Sequence, residues 1–234
     1  MNIPLEIVEQ TGSTSDELKA RAEADGPEVA LMARRQTGGR GRLGRSWSSM
    51  PGNLHMSVLL RPRPVLSPVV FPGHWSLLAA VAVIGALEPF VPAGLLRLKW
   101  PNDVMAPDGK VAGILIEAGG APRPWLVLGV GINLQSAPRV PGRATACVGP
   151  GAPALEEVAR AVLTEIATWR ARYRQDGFEP VRTAWLARGP EAGAPLMAAA
   201  GSGAFEGIGA DGALWLRSEG RRMVVSSGEV SPLS

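Results

Sequence analysis

The residues best equipped for chemistry lie in one stretch, Gln36 to Trp47 (QTGGRGRLGRSW), where twelve residues hold four glycines and three arginines. Glycine tolerates tight or left-handed backbone and lets a ligand approach the main chain. Arginine presents a planar fork of donors that matches phosphate and carboxylate. Between Val29 and Leu87 there is no Asp or Glu, while Arg34, Arg35, Arg40, Arg42, Arg45, Arg61 and Arg63 all fall inside. Positive charge and backbone N–H groups gathered without an internal counter-ion suit an anion. A solvated basic loop is the competing reading, and five arginines from Arg34 to Arg45 with no acid weigh against it.

Gly39, Gly41 and Gly44 satisfy G-x-G-x-x-G formally, but a dinucleotide fingerprint needs a helix directly after the turn and an acid about 20 residues on. Here Ser48-Ser49-Met50-Pro51-Gly52 follows and the next acid is Glu88, and no Walker G-K-[ST] ending is present. Lysine is scarce, with only Lys19, Lys99 and Lys110, and two of these fall in further motifs. Lys99-Trp100-Pro101-Asn102-Asp103 presents an amide and a carboxylate at a strand end. Lys110-Val111-Ala112-Gly113-Ile114 begins the returning strand, which brings Lys110 back toward Asp103 and leaves room at Gly113. Alone, that pair reads as a surface ion pair of little worth. Gly129-Val130-Gly131-Ile132-Asn133 adds a flat strand ending in an amide.

Taken in order, GRGRLGRSW, KWPNDV, KVAGILIE and GVGINL resemble the biotin–protein ligases. Ser13-Thr14-Ser15 is similar to that family's Ser-Thr-Asn element, with Ser15 where Asn is common; Ala146-Cys147 stands where Ser-Leu is usual. The tail from Gly203 to Val230 resembles its SH3-like C-terminal domain. The resemblance covers nearly the whole chain. It implies an α+β fold: a mixed β-sheet flanked by helices, of the class II aminoacyl-tRNA synthetase-like, biotin–lipoate ligase type, over residues 1–189. A small SH3-like β-barrel over residues 190–234 would follow. It also implies a short form without the N-terminal DNA-binding domain, so DNA is not an expected partner.

The activity so implied has two steps. Biotin and MgATP give biotinyl-5′-AMP and pyrophosphate, and the biotinyl group then passes to one lysine of the biotin carboxyl carrier protein of acetyl-CoA carboxylase or related carboxylases. By the same resemblance Lys110, Arg42, Asp103 and Lys99 form the catalytic set, with Asp103 orienting or deprotonating an acceptor amine whose ordinary pKa is about 10.4. Biotin is expected on Ser13, Thr14, Ser15, Gln36, Gly39, Arg40, Arg42, Lys110 and Gly113. ATP or the adenylate is expected on Arg40, Arg42, Arg45, Trp47, Asn102, Lys110, Ile132 and Asn133, with Mg2+ carried on the ATP phosphates. A lipoate–protein ligase shares the fold and the acyl-adenylate chemistry, but its R-R-x-x-G-G-G pattern breaks at Arg40 and no His-Asp follows. A nucleic-acid-binding module is the rival from another class, disfavoured by a net charge of only +3.

Several elements must position these motifs. Leu5–Glu9, Glu28–Gln36, Asn53–Arg61, Leu95–Trp100 and Trp125–Leu134 read as strands, the last apolar enough to be central. Asp108-Gly109 marks a hairpin turn within Val104–Ala118. Thr14 with Glu17 fits a capping box for a first helix. Helices are also predicted over Trp75–Phe90, Leu155–Tyr173 and Glu179–Ala187. Pro62–Pro72 reads as irregular surface chain and Gly142–Pro153 as loop; beyond Gly189 only short β runs remain. Chain length and a hydrophobic share of 46% support a globular catalytic domain with a small appendage. One cysteine and two histidines exclude a disulfide or a Cys- or His-rich metal centre. No signal peptide is visible, and the apolar run Trp75–Leu87 is short of the roughly 20 residues a membrane span needs. A cytoplasmic protein without a membrane partner is expected, with a homodimer through a strand such as Trp125–Leu134 as an option. His55 and Cys147 are expected as non-catalytic, Cys147 as a buried small side chain.

Overall fold

The computed structural model describes residues 3–62, 72–120 and 123–233; most of Pro62–Pro72, including Arg63, lies outside them. The chain runs β1 (Leu5–Thr11), α1 (Thr14–Glu23), β2 (Val29–Gln36), β3 (Leu54–Leu60), α2 (Pro72–Leu87), β4 (Arg97–Lys99), β5 (Asp103–Ala106), β6 (Gly109–Gly119), β7 (Trp125–Ile132), α3 (Leu155–Asp176) and α4 (Glu179–Leu186). Five short strands follow: β8 (Pro195–Ala198), β9 (Gly201–Ile208), β10 (Leu214–Ser218), β11 (Arg221–Val225) and β12 (Val230–Pro232). The first seven strands form one sheet in the order β1-β2-β3-β7-β6-β5-β4; the last five form a second, β11-β10-β9-β8-β12. The first sheet is mixed because β1 and β2 run parallel while its other neighbours are antiparallel.

Helix α2 is apolar on every side, which an α-helix tolerates only when it is enclosed. Thirteen of its residues are buried, and it packs against α3, α4, β5 and β6. With the short turn of helix that follows, Pro72–Phe90 is long and apolar enough to cross a membrane, longer than the apolar run read from sequence, but 72% of its apolar window is enclosed by the rest of the protein. On the other face of the sheet, Leu18 and Ala22 of α1 pack on Leu31, Leu59, Trp125 and Val127. Helix α1 covers only part of that face, and the uncovered part is where the Gly/Arg loop lies.

Three expectations are corrected. Ser13, not Thr14, caps α1: its backbone is extended and its hydroxyl accepts from Asp16 N, while Glu17 takes the Thr11 hydroxyl at 2.9 Å instead of closing a box. Strand β7 is paired on both sides, by β3 and β6, so it has no free edge for a homodimer. Cys147 is half-buried rather than buried.

Two polar joints tie the layers together. Arg170 of α3, almost fully enclosed, reaches Glu28 with both terminal nitrogens, at 2.7 and 2.5 Å. Burial pushes the Glu28 pKa up, but Arg170 and the Arg61 N–H outweigh it, so the carboxyl is held below its usual range. His74 at the start of α2 is stacked on Phe178 at 3.8 Å, meets the Tyr173 hydroxyl at 2.9 Å, and donates from Nε2 to the Ala210 carbonyl, in the turn between β9 and β10, at 2.8 Å.

Removing one partner of a buried ion pair strands the other charge, at a cost of about 3–5 kcal/mol. Arg170→Met is therefore expected to lower unfolding free energy in urea by roughly 3 kcal/mol, and the double variant with Glu28→Met to regain part of that loss. Burial lowers the His74 pKa. A group whose folded pKa is depressed leaves stability unchanged above the unfolded value of about 6.5 and loses it as pH falls below. The urea midpoint should drop between pH 7.5 and 5.5, and drop less in His74→Gln.

Candidate ligand-binding site

The exposed part of the α1 face carries two cross-strand rows. Ser57 of β3, Gly129 of β7 and Leu115 of β6 are register partners; one step further, His55, Gly131, Gly113 and Asp103 of β5 are register partners too. Side chains alternate faces along a strand, so glycine at 113, 129 and 131 leaves a trough in the middle of the sheet. A Cβ at Gly131 would lie 2.3 Å from Trp47 Cε2, one at Gly113 would lie 2.8 Å from Lys110 Nζ, and one at Gly129 would lie 2.7 Å from Ser15 Oγ. Trp47, Lys110 and Ser15 therefore all reach the sheet through missing side chains.

Above the trough, residues 39–47 form a closed flap. Trp47 N donates to Gly39 O at 2.8 Å, Gly41 N donates to Arg45 O at 2.7 Å, and Arg40 bridges Ser46. Positive φ at Leu43 and Gly44 turns its tip. The flap and sheet enclose a cavity of about 360 Å³.

One end of the cavity is hydroxyl-lined. Gln36 Oε1 accepts from Thr14 N at 2.8 Å and from Thr14 Oγ1 at 3.0 Å. Since the single Thr14 hydroxyl hydrogen is committed there, Ser57 donates to Thr14 at 2.8 Å and Ser15 donates to Ser57 at 2.9 Å. The chain Ser15, Ser57, Thr14, Gln36 is thus ordered in one direction, and Ser15 keeps its lone pairs for a guest.

The other end is cationic. Lys110 Nζ sits 2.5 Å from Asp103 and 5.5 Å from the Trp47 ring centroid. Its backbone is pinned to the loop at 144–146: Lys110 N donates to Ala144 O, Lys110 O accepts from Ala146 N, and Asn133 Nδ2 reaches the carbonyls of both Lys110 and Ala146. Arg45 and Arg143 converge on Glu229, just before β12 of the second sheet, and Arg45 first of all holds that carboxyl below the usual carboxylate range. Arg40 bridges Asp16 at 2.9 Å and Glu117 at 2.5 Å. Arg42 differs: its partners are two neutral oxygens, Asn102 Oδ1 and Gly228 O, each at 3.2 Å, and among the described residues it makes no salt bridge. Burial lowers its pKa, against the pull of Glu229 and Asp103. A half-buried guanidinium with only neutral partners is the group most in need of an anion.

Of the residues picked from sequence, Ser13, Thr14, Ser15, Gln36, Arg40, Arg42, Arg45, Trp47, Asn102, Asp103, Lys110, Gly113 and Asn133 line this cavity. Three do not. Gly39 is buried at the base of the flap, where a Cβ would lie 2.6 Å from Trp47 O. Ile132 is fully enclosed in the core. Lys99 is the register partner of Asp103 on β4 and is close enough to help lower the Glu229 pKa, but it does not line the cavity. Ser57, Arg143, Thr145 and Glu229 also line it; a serine in the mostly apolar LHMSVLL and the GEV of the tail were the available signals, and Arg143 had none. Among the described residues no three His, Cys, Asp or Glu side chains gather as a metal site.

Fold and site together define a protein that binds an anionic small molecule on a mixed sheet beneath an arginine flap. The architecture is similar to that of a biotin protein ligase from Aquifex aeolicus in complex with biotin and ATP, at a TM-score of 0.80 and 27% identity over 97% of each chain. In sequence the chain is similar to a biotin–[acetyl-CoA-carboxylase] ligase of Paracoccus denitrificans, 37% identical over 96% of this chain and 98% of that one. A ligase of the same description from Mycobacterium tuberculosis is 38% identical over 97% of this chain and 88% of its own. Residues 7–133 match the biotin/lipoate A/B protein ligase family, and the chain belongs to it.

Gly131→Ala should expel the indole of Trp47 and loosen the flap while leaving the core intact. Trypsin should then cut after Arg40, Arg42 and Arg45 several-fold faster than in the parent protein, with an unchanged thermal midpoint.

Proposed function

We propose that this chain is an ATP-dependent biotin–protein ligase acting in the cytoplasm on the biotin carboxyl carrier domain of acetyl-CoA carboxylase or a related carboxylase. The observation that carries this reading is the two-ended cavity: an ordered hydroxyl–amide chain at one end and a lysine with facing arginines at the other, joined by a glycine floor. A ligand with a polar ring, an apolar stem and a terminal carboxylate matches that order. The ring meets Ser13, Thr14, Ser15, Ser57 and Gln36, and the carboxylate meets Lys110.

The chemistry requires two anions to be held together and the charge building at phosphorus to be neutralised. Lys110 presents a compact point charge to both the carboxylate and the α-phosphate. Arg42, Arg45 and Arg143 face the phosphates, and Asn102 and Asn133 lie at the nucleotide side with Trp47. The carboxylate oxygen attacks the α-phosphorus, the bond to the bridging oxygen breaks, and pyrophosphate leaves. Mg2+ enters with the nucleotide. In the second step the acceptor amine displaces AMP; Asp103, beside Lys110, is placed to orient that amine and take its proton. Neither step needs an enzyme nucleophile.

Lipoate is the second substrate worth testing, because the family includes both activities. Biotin-dependent exchange of labelled pyrophosphate into ATP is the expected result, with lipoate inactive. Lys110→Ala should lower that exchange by roughly 100-fold or more, the scale of losing one preorganised charge at a reacting centre. Exchange supported by lipoate and not by biotin would overturn the substrate assignment.

A further inference from the structure

We infer that His55 is a positioning residue for the flap: its Nδ1 accepts the indole N–H of Trp47 and so fixes where the flap's base sits on the sheet. His55 occupies the end of the row that runs through Gly131 and Gly113 to Asp103. The Trp47 indole lies across the two glycines of that row, and its Nε1 points at His55 Nδ1, 3.3 Å away. An indole N–H can only donate, so Nδ1 is the acceptor and the neutral imidazole carries its hydrogen on Nε2, which has no hydrogen-bond partner among the described residues. His55 is 1% exposed; burial lowers its pKa, with the Met50 backbone opposing, which keeps Nδ1 unprotonated at neutral pH.

The consequence runs outward from that bond. Trp47 pairs with Gly39 through its backbone, and these two residues close the loop that carries Arg40, Arg42 and Arg45. The same indole stands 5.5 Å from Lys110 Nζ. One buried acceptor therefore sets the position of the ring, the base of the flap and the apolar side of the Lys110 environment. Without the acceptor the indole N–H would be left unsatisfied in the trough, a state that proteins avoid, and the ring would tilt toward solvent. The geometric claim stands on the bond itself; its effect on catalysis rests on the ligase reading above.

The test uses the full chain labelled with 15N at tryptophan, with the Trp47 indole signal assigned by its loss in Trp47→Phe. That N–H is expected to exchange with solvent at least tenfold more slowly than an exposed indole. Protection should vanish in His55→Phe and in the smaller His55→Leu, and persist in His55→Asn, whose amide oxygen can accept. In biotin-dependent pyrophosphate exchange the Phe and Leu variants should raise KM for ATP and biotin several-fold with little change in kcat, and Asn should restore both constants. Protection that survives in His55→Phe or His55→Leu would overturn the proposal. So would equal impairment in Asn, Phe and Leu accompanied by the same fall in thermal midpoint, the pattern of a merely structural histidine. If the parent protein shows no exchange with biotin, the ligase reading fails while the indole measurement still decides the role of His55.

Discussion

The arrangement depends on three side chains that are not there. Gly113, Gly129 and Gly131 open a trough in the sheet, and Lys110, Ser15 and Trp47 come closer to the backbone than any Cβ would permit. Close packing leaves no slack for even one added methyl in such a place. Strand interiors disfavour glycine because it packs nothing and loses more entropy on ordering. Three of them on two adjacent strands is a local cost that the rest of the domain must carry. Most of it falls to α2 and to β7, whose residues are enclosed along their whole length on the far side.

Charge is handled with the same economy of parts. Arg40, Arg45 and Lys110 each rest on a carboxylate, contributed respectively by α1 and β6, by the second sheet, and by β5. Arg42 is the exception, held among the described residues by Asn102 and Gly228. The second sheet is thus part of the site: Gly228 and Glu229 lie beside β12 and reach two different arginines of the flap. A barrel joined only by a linker could not do this, and the Trp100 indole, donating to Gly212 O at 3.0 Å, and His74 show how closely the two sheets are fastened.

Much of this was legible in the sequence. The strand–flap–strand order, the hairpin returning Lys110 to Asp103, and the apolar β7 followed from turn chemistry, charge segregation and hydrophobic runs, which are local signals. What escaped needed the third dimension. Ser57 looks like a tolerated polar residue until β3 is set beside α1, where it completes the hydroxyl chain. Arg143 and Glu229 are separated from the flap by about a hundred residues or more, and nothing local marks an ion pair across that distance. Thr14 was misassigned as the cap because Ser13, Thr14 and Ser15 have similar capping propensity; the hydroxyl demand of Gln36 and Ser57 decides which one turns inward. Lys99 extends the cross-strand row of Gly131 and Gly113 one place beyond Asp103, on the edge strand β4, so it stands on the cavity's face of the sheet but outside its wall.

The decisive measurement is a crystal structure with a non-hydrolysable biotinyl-adenylate analogue. The ring is expected at Ser15, Ser57 and Thr14, the phosphate within hydrogen-bonding distance of Lys110 Nζ and of Arg42, and the ligand stem along Gly129 and Gly131. A ligand bound elsewhere, with Lys110 still resting on Asp103 alone and Arg42 still on Asn102 and Gly228, would contradict this arrangement.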